Sequence, residues 1–583
     1  MKSKRSIIMV FVALFLVAAL FVGCSQSAKP GGSDVTDEQS DAPSGGEQGG
    51  EEEGGQEEKP TEVKTYTAFF NTSLTAMVDP WDTPVGKKIT ELTGVKLKTE
   101  YLVGADARQK AGVMIASGDY PDIILPGEAT GDFVAAGALI PLDDYIEKYG
   151  ENIKKIYRPS ELKLLRMQYD GTTYYISGQR AGEDTLYPSA GFYLAVDVLK
   201  DAGWPVVKTF EQYTEILKNY VQKNPEYNGA PTIAFTLPTE AVRMSALQYG
   251  AARFLAGYPN DGPSCIDQKT LEAKVIMTQD FNIPFLKFIN ELWRMGIADK
   301  EMFMQTNDQY LAKLSSGRVA GFYDQRYAIV DAFNALEKQE LYDRCFVGFP
   351  VVYEGVEEEY YRGPSAFTTY TGLGISSKCK DPEGVFKFLD RMAAEDINKL
   401  HAWGIEGEDY TMENGKPVRT QEQWDKYNDL DYRKNQGIGQ FDSFPRRETV
   451  RSDYGKFSDG NWVSPTQLDE YFEVRYKDYE KDILAQYGVK TFNDFYAPSY
   501  PARYEPGWAI RTKMPADFSG KIAVEQALEL AAEYLPKICM AESDDEFDKL
   551  WNEYQDKLSK LDLKAFEDEM NRVLQETVQY YQD

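Results

Sequence analysis

Histidine and cysteine are scarce in this chain, and their scarcity excludes several kinds of catalytic site. Among 583 residues there is one histidine, His401. A metal site or catalytic centre that needs two imidazoles therefore cannot form, and Ser-His-Asp or Cys-His chemistry would depend on that one residue. Beyond Cys24 there are four cysteines, none at metal-ligand spacing. An even number allows disulfides, and buried free thiols are the alternative that the sequence leaves open.

Positive charge is also limited. The chain has 64 Lys and Arg against 93 Asp and Glu, a formal net charge of −29. Binding to a nucleic-acid backbone needs clustered cations, so we expect no nucleic-acid partner, and we also expect no cofactor. What the chain has in quantity is aromatic side chains, 39 Tyr, 30 Phe and 8 Trp, within a hydrophobic share of 42%. A chain of this length can bury a large core divided over two or three lobes.

A long apolar run occurs only at the N-terminus. Lys2, Lys4 and Arg5 precede the wholly apolar residues 7–22. Sixteen apolar residues are fewer than the roughly 20 that a membrane-spanning helix needs, and the pattern is typical of a secretory signal. The run ends in Leu-Phe-Val-Gly-Cys at 20–24, which resembles the lipobox of bacterial lipoproteins, with Phe21 where Leu is usual. The resemblance implies a signal peptide over 1–23 and lipidation of Cys24; an uncleaved N-terminal anchor is the alternative.

The next segment, 24–62, is predicted to be a disordered acidic tether. Residues 25–62 contain eight Gly, eleven Asp or Glu, two Lys and no aromatic residue. Such a composition cannot offset the entropy of ordering by burying apolar surface. A flexible segment of this length reaches roughly 30–35 Å, enough to hold a soluble body close to a membrane.

The remaining sequence alternates between strand and helix patterns. We predict strands at 65–70, 95–101 and 121–125 with helices at 87–93 and 107–117, and the apolar run at 121–125 is typical of a strand buried on both faces. This order predicts an α/β lobe with parallel pairing. A second unit begins near 191, with a capping-box pattern at 209–212 and a strand at 319–323. The C-terminal third is predicted to be largely helical, with a core stripe from Phe547 to Leu561.

Five passages, in this order, resemble the extracellular solute-binding proteins of bacterial ABC importers. They are IASGDYPDII at 115–124, LDDYI at 142–146, SGRVAG at 316–321, CKDPEGVFKFL at 379–389 and GIEGEDY at 404–410, the last followed by NGK. The GIEGEDY passage is similar to an element of the oligosaccharide-binding lipoproteins in that family. Each passage is weakly specific alone, whereas their order and their position after a lipobox are specific together.

The resemblance implies an architecture and a function. The fold would be the two-lobed periplasmic-binding-protein type (type II) with hinge crossovers, lobe one comprising 63–187 and 366–410, lobe two 188–365 and 411–583. The protein would be a monomer, lipid-anchored on the outer face of a Gram-positive bacterial membrane. It would bind an oligosaccharide and deliver it to ABC permease subunits.

Candidate ligand-binding residues follow from sugar chemistry and the family's layout. Aromatic rings stack on the apolar face of a sugar, and carboxylates or guanidinium groups bind its hydroxyls. The candidates are Asp79, Trp81, Tyr187, Tyr323, Asp324, Arg326, Trp403 and Glu406, with Trp462 as an outside candidate. Ordinary packing is the alternative for each aromatic residue, and a structural turn is the alternative for the GIEG element. Residues 223–231 lack the alternating carboxylates of a calcium loop, so no metal is expected.

Three other functions remain open at this point. A secreted glycoside hydrolase or lyase would need two carboxylates about 5–9.5 Å apart, which 93 acidic residues can supply. A peptide-binding receptor would use the same kind of cleft, and a sensory lipoprotein would report to a kinase rather than to a permease. No glycosidase signature is present, so we expect a binding protein and not an enzyme.

Overall fold

Two β-sheets, joined by a double crossover of the chain, organise the protein. A computed structural model describes residues 63–581 except 74–77, 103–106, 168, 170, 179–185, 364–366, 368, 370, 450–452, 499 and 501. The predicted signal peptide and tether lie outside the described residues. The described residues form one compact unit.

The strands are short, and most lie in two main sheets. They are β1 (Lys64–Ser73), β2 (Val95–Leu102), β3 (Ile123–Leu125), β4 (Tyr175–Ile176), β5 (Ala190–Ala195), β6 (Glu226–Tyr227), β7 (Ala230–Pro231), β8 (Ile233–Thr236), β9 (Ser264–Ile266), β10 (Ala273–Val275), β11 (Val319–Gln325), β12 (Phe346–Phe349), β13 (Leu373–Ile375), β14 (Thr411–Glu413) and β15 (Lys416–Val418). The five-stranded sheet has the order β2-β1-β3-β13-β4 and the four-stranded sheet the order β12-β5-β11-β8.

Helices cover both sheets and form most of the C-terminal third. They are α1 (Pro84–Thr93), α2 (Ala107–Ser117), α3 (Thr130–Ala135), α4 (Asp143–Tyr149), α5 (Glu151–Ile156), α6 (Pro159–Met167), α7 (Val196–Asp201), α8 (Phe210–Lys223), α9 (Ala251–Leu255), α10 (Asn282–Arg294), α11 (Asn307–Ser315), α12 (Val330–Lys338), α13 (Pro382–Met392), α14 (Glu395–Trp403), α15 (Gln421–Asn428), α16 (Leu430–Gln436), α17 (Asp469–Arg475), α18 (Asp478–Tyr487), α19 (Gly507–Lys513), α20 (Ser519–Cys539), α21 (Asp544–Leu558) and α22 (Leu563–Thr577). Within the described ranges, no helix is both long and apolar enough to span a bilayer.

Lobe one is built on the five-stranded sheet, and its predicted elements are confirmed. Strand β1 pairs in parallel with both β2 and β3, as the alternating pattern requires. All three residues of β3 are buried, as expected for a strand covered on both faces. Helix α1 ends at Gly94, whose φ of 66° is the left-handed conformation that favours glycine at a helix C-terminus.

Lobe two is built on the four-stranded sheet, where β5 runs antiparallel to both of its neighbours and β11 runs parallel to β8. The predicted capping box at the start of α8 is only half formed. The side chain of Thr209 accepts a hydrogen bond from the backbone N–H of Gln212, as predicted. The Gln212 side chain, however, accepts from the backbone N–H of Lys208, one residue before the cap. The predicted stripe on α21 is confirmed as core, since Phe547, Trp551 and Tyr554 are buried.

The first crossover lies between β4 and β5, and the second between β12 and β13. Residues 421–449 pack against lobe one, although the predicted boundary would assign them to lobe two. Phe441 contacts Trp81 with 5.1 Å between ring centroids, and Phe444 contacts Phe70 at 6.1 Å. The exact boundaries of the two lobes remain predictions. Further along, the chain returns to lobe two, where the Tyr487 hydroxyl donates to the carbonyl of Pro205 at 3.2 Å.

Candidate functional site

A cavity of about 260 Å³ lies where the carboxyl end of β11 meets the N-terminal end of α19. Clefts at lobe interfaces are preferred places for ligand sites in two-lobed proteins. Helix α19 contacts α3 of lobe one as well as β9 and α22 of lobe two, so one wall of the cavity belongs to an element shared by both lobes. The lining residues are Arg243, Ser245, Ala246, Tyr249, Gly250, Arg253, Asn260, Gly262, Tyr323, Asp324, Gln325, Tyr327 and Trp508.

Three aromatic side chains present surface to this cavity. Tyr327 is 76% exposed, an unusual state for a large aromatic residue in an otherwise folded region. Even so, the protein around its hydroxyl raises its pKa, which fits a side chain that stands in an open crevice rather than on a convex surface. Tyr249 and Trp508 are half-buried on the cavity wall.

Local backbone features bring Tyr249 and Trp508 into position. Ala246–Gly250 forms a π-helical turn directly before α9, a feature that is frequent at functional sites because it rotates side chains out of the regular helical register. Gly262 has a φ of +68°, and a Cβ there would lie 2.9 Å from the Cβ of Trp508. Glycine at this position is therefore what allows the Trp508 backbone to approach the loop before β9.

The polar groups of the cavity are held by hydrogen bonds and one ion pair. Asp324 is 1% exposed and pairs with Arg243; it also accepts from the Tyr310 hydroxyl at 3.0 Å. Buried Arg253 donates to the Tyr249 carbonyl at 3.1 Å and to Asn260 Oδ1 at 2.8 Å. The Tyr323 hydroxyl is buried without a hydrogen-bond partner among the described residues. The cavity thus combines aromatic faces with donors and acceptors that are already oriented.

Burial also shifts the ionisation of two carboxyl groups in this region. Desolvation raises the pKa of Asp324 to about 6, although Arg243 and the backbone N–H of Gln325 oppose the shift. It likewise raises the pKa of Asp261 to about 6, against hydrogen bonds from Gly507 and Tyr504. Both groups therefore take up protons more readily in the folded protein than in the unfolded chain.

This pKa shift predicts the pH dependence of stability. A carboxyl group whose pKa is raised in the folded protein contributes its full stabilisation below its pKa in the unfolded chain, near 4. This contribution is lost as the pH rises through the folded-state pKa of about 6. On going from pH 7 to pH 5 the wild type should gain about 1 kcal/mol from Asp324 that Asp324→Asn cannot gain. Urea unfolding of both proteins at pH 7 and pH 5 gives the difference between their free energies of unfolding at each pH. A difference that is the same at both pH values would contradict the shift.

The structure brings together two of the eight predicted ligand residues in this cavity, Tyr323 and Asp324. Two others, Tyr187 and Arg326, meet elsewhere in lobe two. The Arg326 guanidinium lies 4.3 Å from the Tyr187 ring centroid, and the Tyr187 hydroxyl donates to Glu480 at 2.6 Å. Their roles in ligand binding remain predictions.

The remaining predicted residues lie in or beside lobe one. Trp81 is buried and packs edge-on against Phe441 and Phe444, while Asp79 accepts from the backbone N–H of Trp81 at 3.0 Å. Trp403 is 0% exposed, and its indole N–H donates to the carbonyl of Trp462 at 3.3 Å. In this structure both tryptophan rings are packed within the protein, and their stacking on a ligand remains a prediction.

The GIEG element forms a turn around a buried carboxylate. Asp409 accepts from the backbone N–H of Ile405 at 2.7 Å, from the Tyr432 hydroxyl at 2.9 Å and from Gln436 at 3.0 Å. Gly404 has a φ of +84°, and a Cβ there would lie 2.3 Å from Asp409 Oδ2. These contacts favour the structural-turn interpretation of the pattern. Glu406, within this turn, is exposed.

Eleven of the thirteen lining residues were not predicted from the sequence, among them Arg243, Tyr249, Arg253, Tyr327 and Trp508. The predicted strand at 319–323 pointed to the residues that follow it, and the candidates taken from there ended at Arg326. Tyr327 is the next residue, so the same signal could have identified it. Tyr249 and Arg253 precede no recognisable motif. Trp508 lies about 180 residues after Tyr327 along the chain, and no local pattern links the two.

Cysteines and acidic clusters do not add a second kind of site within the described ranges. Cys265, Cys345, Cys379 and Cys539 are unpaired in the structure, which resolves the alternative left open above in favour of free thiols. Burial raises the pKa of the Cys265 thiol to about 12, so it stays protonated and unreactive. No group of three or more His, Cys, Asp or Glu side chains in the described part is placed to hold a metal ion.

The sequence was compared with models of protein families. The model of the bacterial extracellular solute-binding proteins matches residues 85–404, more than half of the chain. The chain belongs to this family. The predicted family membership is therefore confirmed.

Two curated relatives and one solved structure are similar to this solute-binding protein. The fructooligosaccharide ABC transporter substrate-binding protein FusA of Streptococcus pneumoniae is 27% identical over 375 residues, 60% of this chain and 64% of FusA. The lipoprotein LipO of Bacillus subtilis is 22% identical over 382 residues, 63% of this chain and 71% of LipO. The structure of FusA from S. pneumoniae in complex with kestose superposes with a TM-score of 0.60 at 17% identity, covering 88% of this chain and 99% of that one. The superposition confirms the two-lobed fold.

Proposed function

We propose that this protein is an extracellular receptor that binds an oligosaccharide and passes it, chemically unaltered, to an ABC transporter. The observation that carries the proposal is the cavity in which Tyr327, Tyr249 and Trp508 stand beside Arg243 and Gln325. Aromatic faces next to fixed hydrogen-bonding groups are the combination that sugars require. Membership of the solute-binding family supports it, as does the kestose bound to the related FusA.

Each part of the cavity has a definite task in this proposal. The exposed face of Tyr327 stacks on the C–H face of one sugar ring, and the half-buried Trp508 covers another surface of the ligand. Arg243 is oriented by its ion pair with Asp324, so little rotamer entropy is lost when it donates to a sugar hydroxyl. Because α19 contacts both lobes, approach of the lobes brings Trp508 with it and removes water from both surfaces.

A secreted glycoside hydrolase or lyase is the main competing function, and the cavity chemistry argues against it. Hydrolysis requires two carboxyl groups on opposite sides of the scissile bond. Asp324 is the one carboxylate among the residues that line the cavity, and it is buried and engaged by Arg243 and Tyr310. This arrangement favours binding without bond cleavage.

A glycan panel tests the proposed function directly. We expect one class of oligosaccharide to raise the unfolding temperature in differential scanning fluorimetry, with stoichiometric binding in calorimetry. Chromatography of the same ligand after prolonged incubation with the protein should recover it intact. Cleavage products would establish the enzyme instead, and a shift by peptides but by no glycan would establish a peptide receptor.

The remaining parts of the proposal concern the location of the protein. We infer that Cys24 carries the lipid anchor, and the similarity to the lipoprotein LipO supports this. Two acyl chains hold a protein on a membrane durably, at about 0.8 kcal/mol per buried CH₂. We also propose that residues 24–62 form a flexible tether. The tethered protein is a monomer on the surface of a Gram-positive cell, and it delivers its ligand to ABC permease subunits. Incorporation of a labelled fatty acid that persists in Cys24→Ala would refute the anchor.

A further inference from the structure

A second cavity, of about 120 Å³, lies on the lobe-one side of the protein, between α14, α16 and the loop that follows α16. It shares no lining residue with the cavity around Tyr327. Gly437, directly after α16, lets this segment approach the start of α1, because a Cβ there would lie 2.3 Å from the hydroxyl oxygen of Thr83. We call this cavity the arginine pocket, since Arg433, Arg446 and Arg447 line it together with His401 and Asp442.

Positive charge exceeds negative charge in the arginine pocket. Asp442 is the one carboxylate among the lining residues; it lies 3.1 Å from His401 Nε2 and 3.3 Å from Arg446 Nη2. Arg447 is paired outside the lining with Glu395 at 2.8 Å. Arg433 has no carboxylate partner within the described residues and lies over the ring of Tyr427 at 5.2 Å. This excess is local, since the chain as a whole carries a net charge of −29.

Several donors in the pocket have no acceptor among the described residues. The Nε atoms of Arg433, Arg446 and Arg447 are buried without a hydrogen-bond partner, and so is Nδ1 of His401. His401 is 8% exposed. A buried donor without an acceptor is destabilising, and more so when the group is charged. Three such guanidinium donors around one small cavity are what a site for an acceptor-rich ligand would contain.

The ionisation of Asp442 reports the same excess of positive charge. The Asp442 side chain is exposed. Desolvation by the surrounding protein acts to raise the pKa of this carboxyl, yet Arg446, His401 and Arg433 outweigh that effect and hold the pKa below its usual range. A carboxylate in this pocket is thus strongly favoured in its charged form. The same groups would favour a second anion that enters the cavity.

We propose that the arginine pocket binds a small oxyanion, the carboxylate, sulfate or phosphate group of a ligand. Guanidinium groups are planar donors that match the oxygens of such anions and lose little hydration when they are buried against them. The volume of about 120 Å³ corresponds to the liquid share of about four water molecules, which suits one charged group and not a whole oligosaccharide. The proposal stands whether or not the cavity around Tyr327 binds a sugar.

The single histidine makes the pocket directly observable. In untagged protein labelled with ¹³C-histidine, the one imidazole signal belongs to His401 and therefore reports this pocket alone. We expect sodium sulfate to shift this signal in a saturable manner, while sodium chloride at equal ionic strength does not. Sodium galacturonate and galactose distinguish the source of the oxyanion: a shift with galacturonate at lower concentration than with sulfate, and none with galactose, indicates an acidic sugar.

Matched arginine variants decide whether the pocket is responsible. Arg446→Gln and Arg433→Gln should each weaken the sulfate effect tenfold or more, because each removes a charge-assisted hydrogen bond. Arg294→Gln, an exposed arginine of α10 paired with Asp544, is the control and should behave as wild type. If the His401 signal is insensitive to every oxyanion in the folded wild type, or moves equally in Arg446→Gln, the proposal is overturned. Circular dichroism of each variant verifies that the fold is intact.

Discussion

Tyr327→Ala is expected to lower the affinity for the cognate oligosaccharide by about 30- to 100-fold while leaving the fold intact. The exposed ring offers a full face to a sugar, and burying an aromatic face while gaining a stacking contact is worth about 2–3 kcal/mol. Because the side chain is 76% exposed without ligand, its removal opens no hole in the core. Isothermal titration calorimetry with the ligand found in the glycan panel measures the loss.

Two further variants make this result specific. Tyr327→Phe keeps the ring and should bind within about threefold of wild type, since the hydroxyl contributes at most one hydrogen bond to water or ligand. Tyr342→Ala removes another exposed tyrosine, which does not line the cavity and stacks on Tyr479 with 5.0 Å between ring centroids. This variant should not change the affinity. Equal affinities of wild type and Tyr327→Ala would remove Tyr327 from the site.

Lys513→Met should destabilise the folded protein by about 3–5 kcal/mol, because it leaves a buried carboxylate without its counter-ion. Glu505 is 0% exposed and pairs with Lys513, and it accepts from the backbone N–H and the hydroxyl of Thr369 at 2.8 and 2.7 Å. The Lys513 ammonium also donates to the Thr369 hydroxyl at 2.9 Å. For a body of this length the loss corresponds to a fall of about 3–5 °C in the thermal unfolding midpoint, measured by calorimetry.

The buried setting of the pair, and not the mere loss of a lysine, should cause this effect. Lys537→Met removes an exposed lysine that pairs with Glu533 one helical turn away, and it should cost less than about 0.5 kcal/mol. The double variant Lys513→Met/Glu505→Gln should recover part of the loss, because no isolated charge then remains. A midpoint for Lys513→Met equal to that of Lys537→Met would show that Glu505 is not an isolated buried charge in the variant.

Local sequence signals were sufficient for most of the fold. The buried strand Ile123–Leu125 and the helix Ala107–Ser117 lie where the pattern predicted them, because an apolar run beside a proline and a helical period are both short-range signals. The half-formed capping box at Thr209 marks the limit of such signals. The sequence pattern identifies where the helix starts. The conformation of the neighbouring backbone determines which N–H donates to the Gln212 side chain.

The site was harder to predict because burial is decided by distant parts of the chain. Trp81 follows the first strand, where a cleft wall was expected, but Phe441 and Phe444, some 360 residues later, enclose its ring. Tyr327 is open for the opposite reason, since nothing in the described chain covers the turn that follows β11. Aromatic residues in loops have the same local appearance in both situations. Only the three-dimensional arrangement separates a core ring from a ring that is available to a ligand.

Helix α19 has only seven residues and is therefore about 10 Å long. Trp508 stands at its first turn in the cavity, and Lys513, at its last residue, is fastened to the second crossover through Glu505 and Thr369. A helix of about two turns moves as one unit, so we expect a displacement of Trp508 by a bound ligand to reach the crossover segment at Thr369.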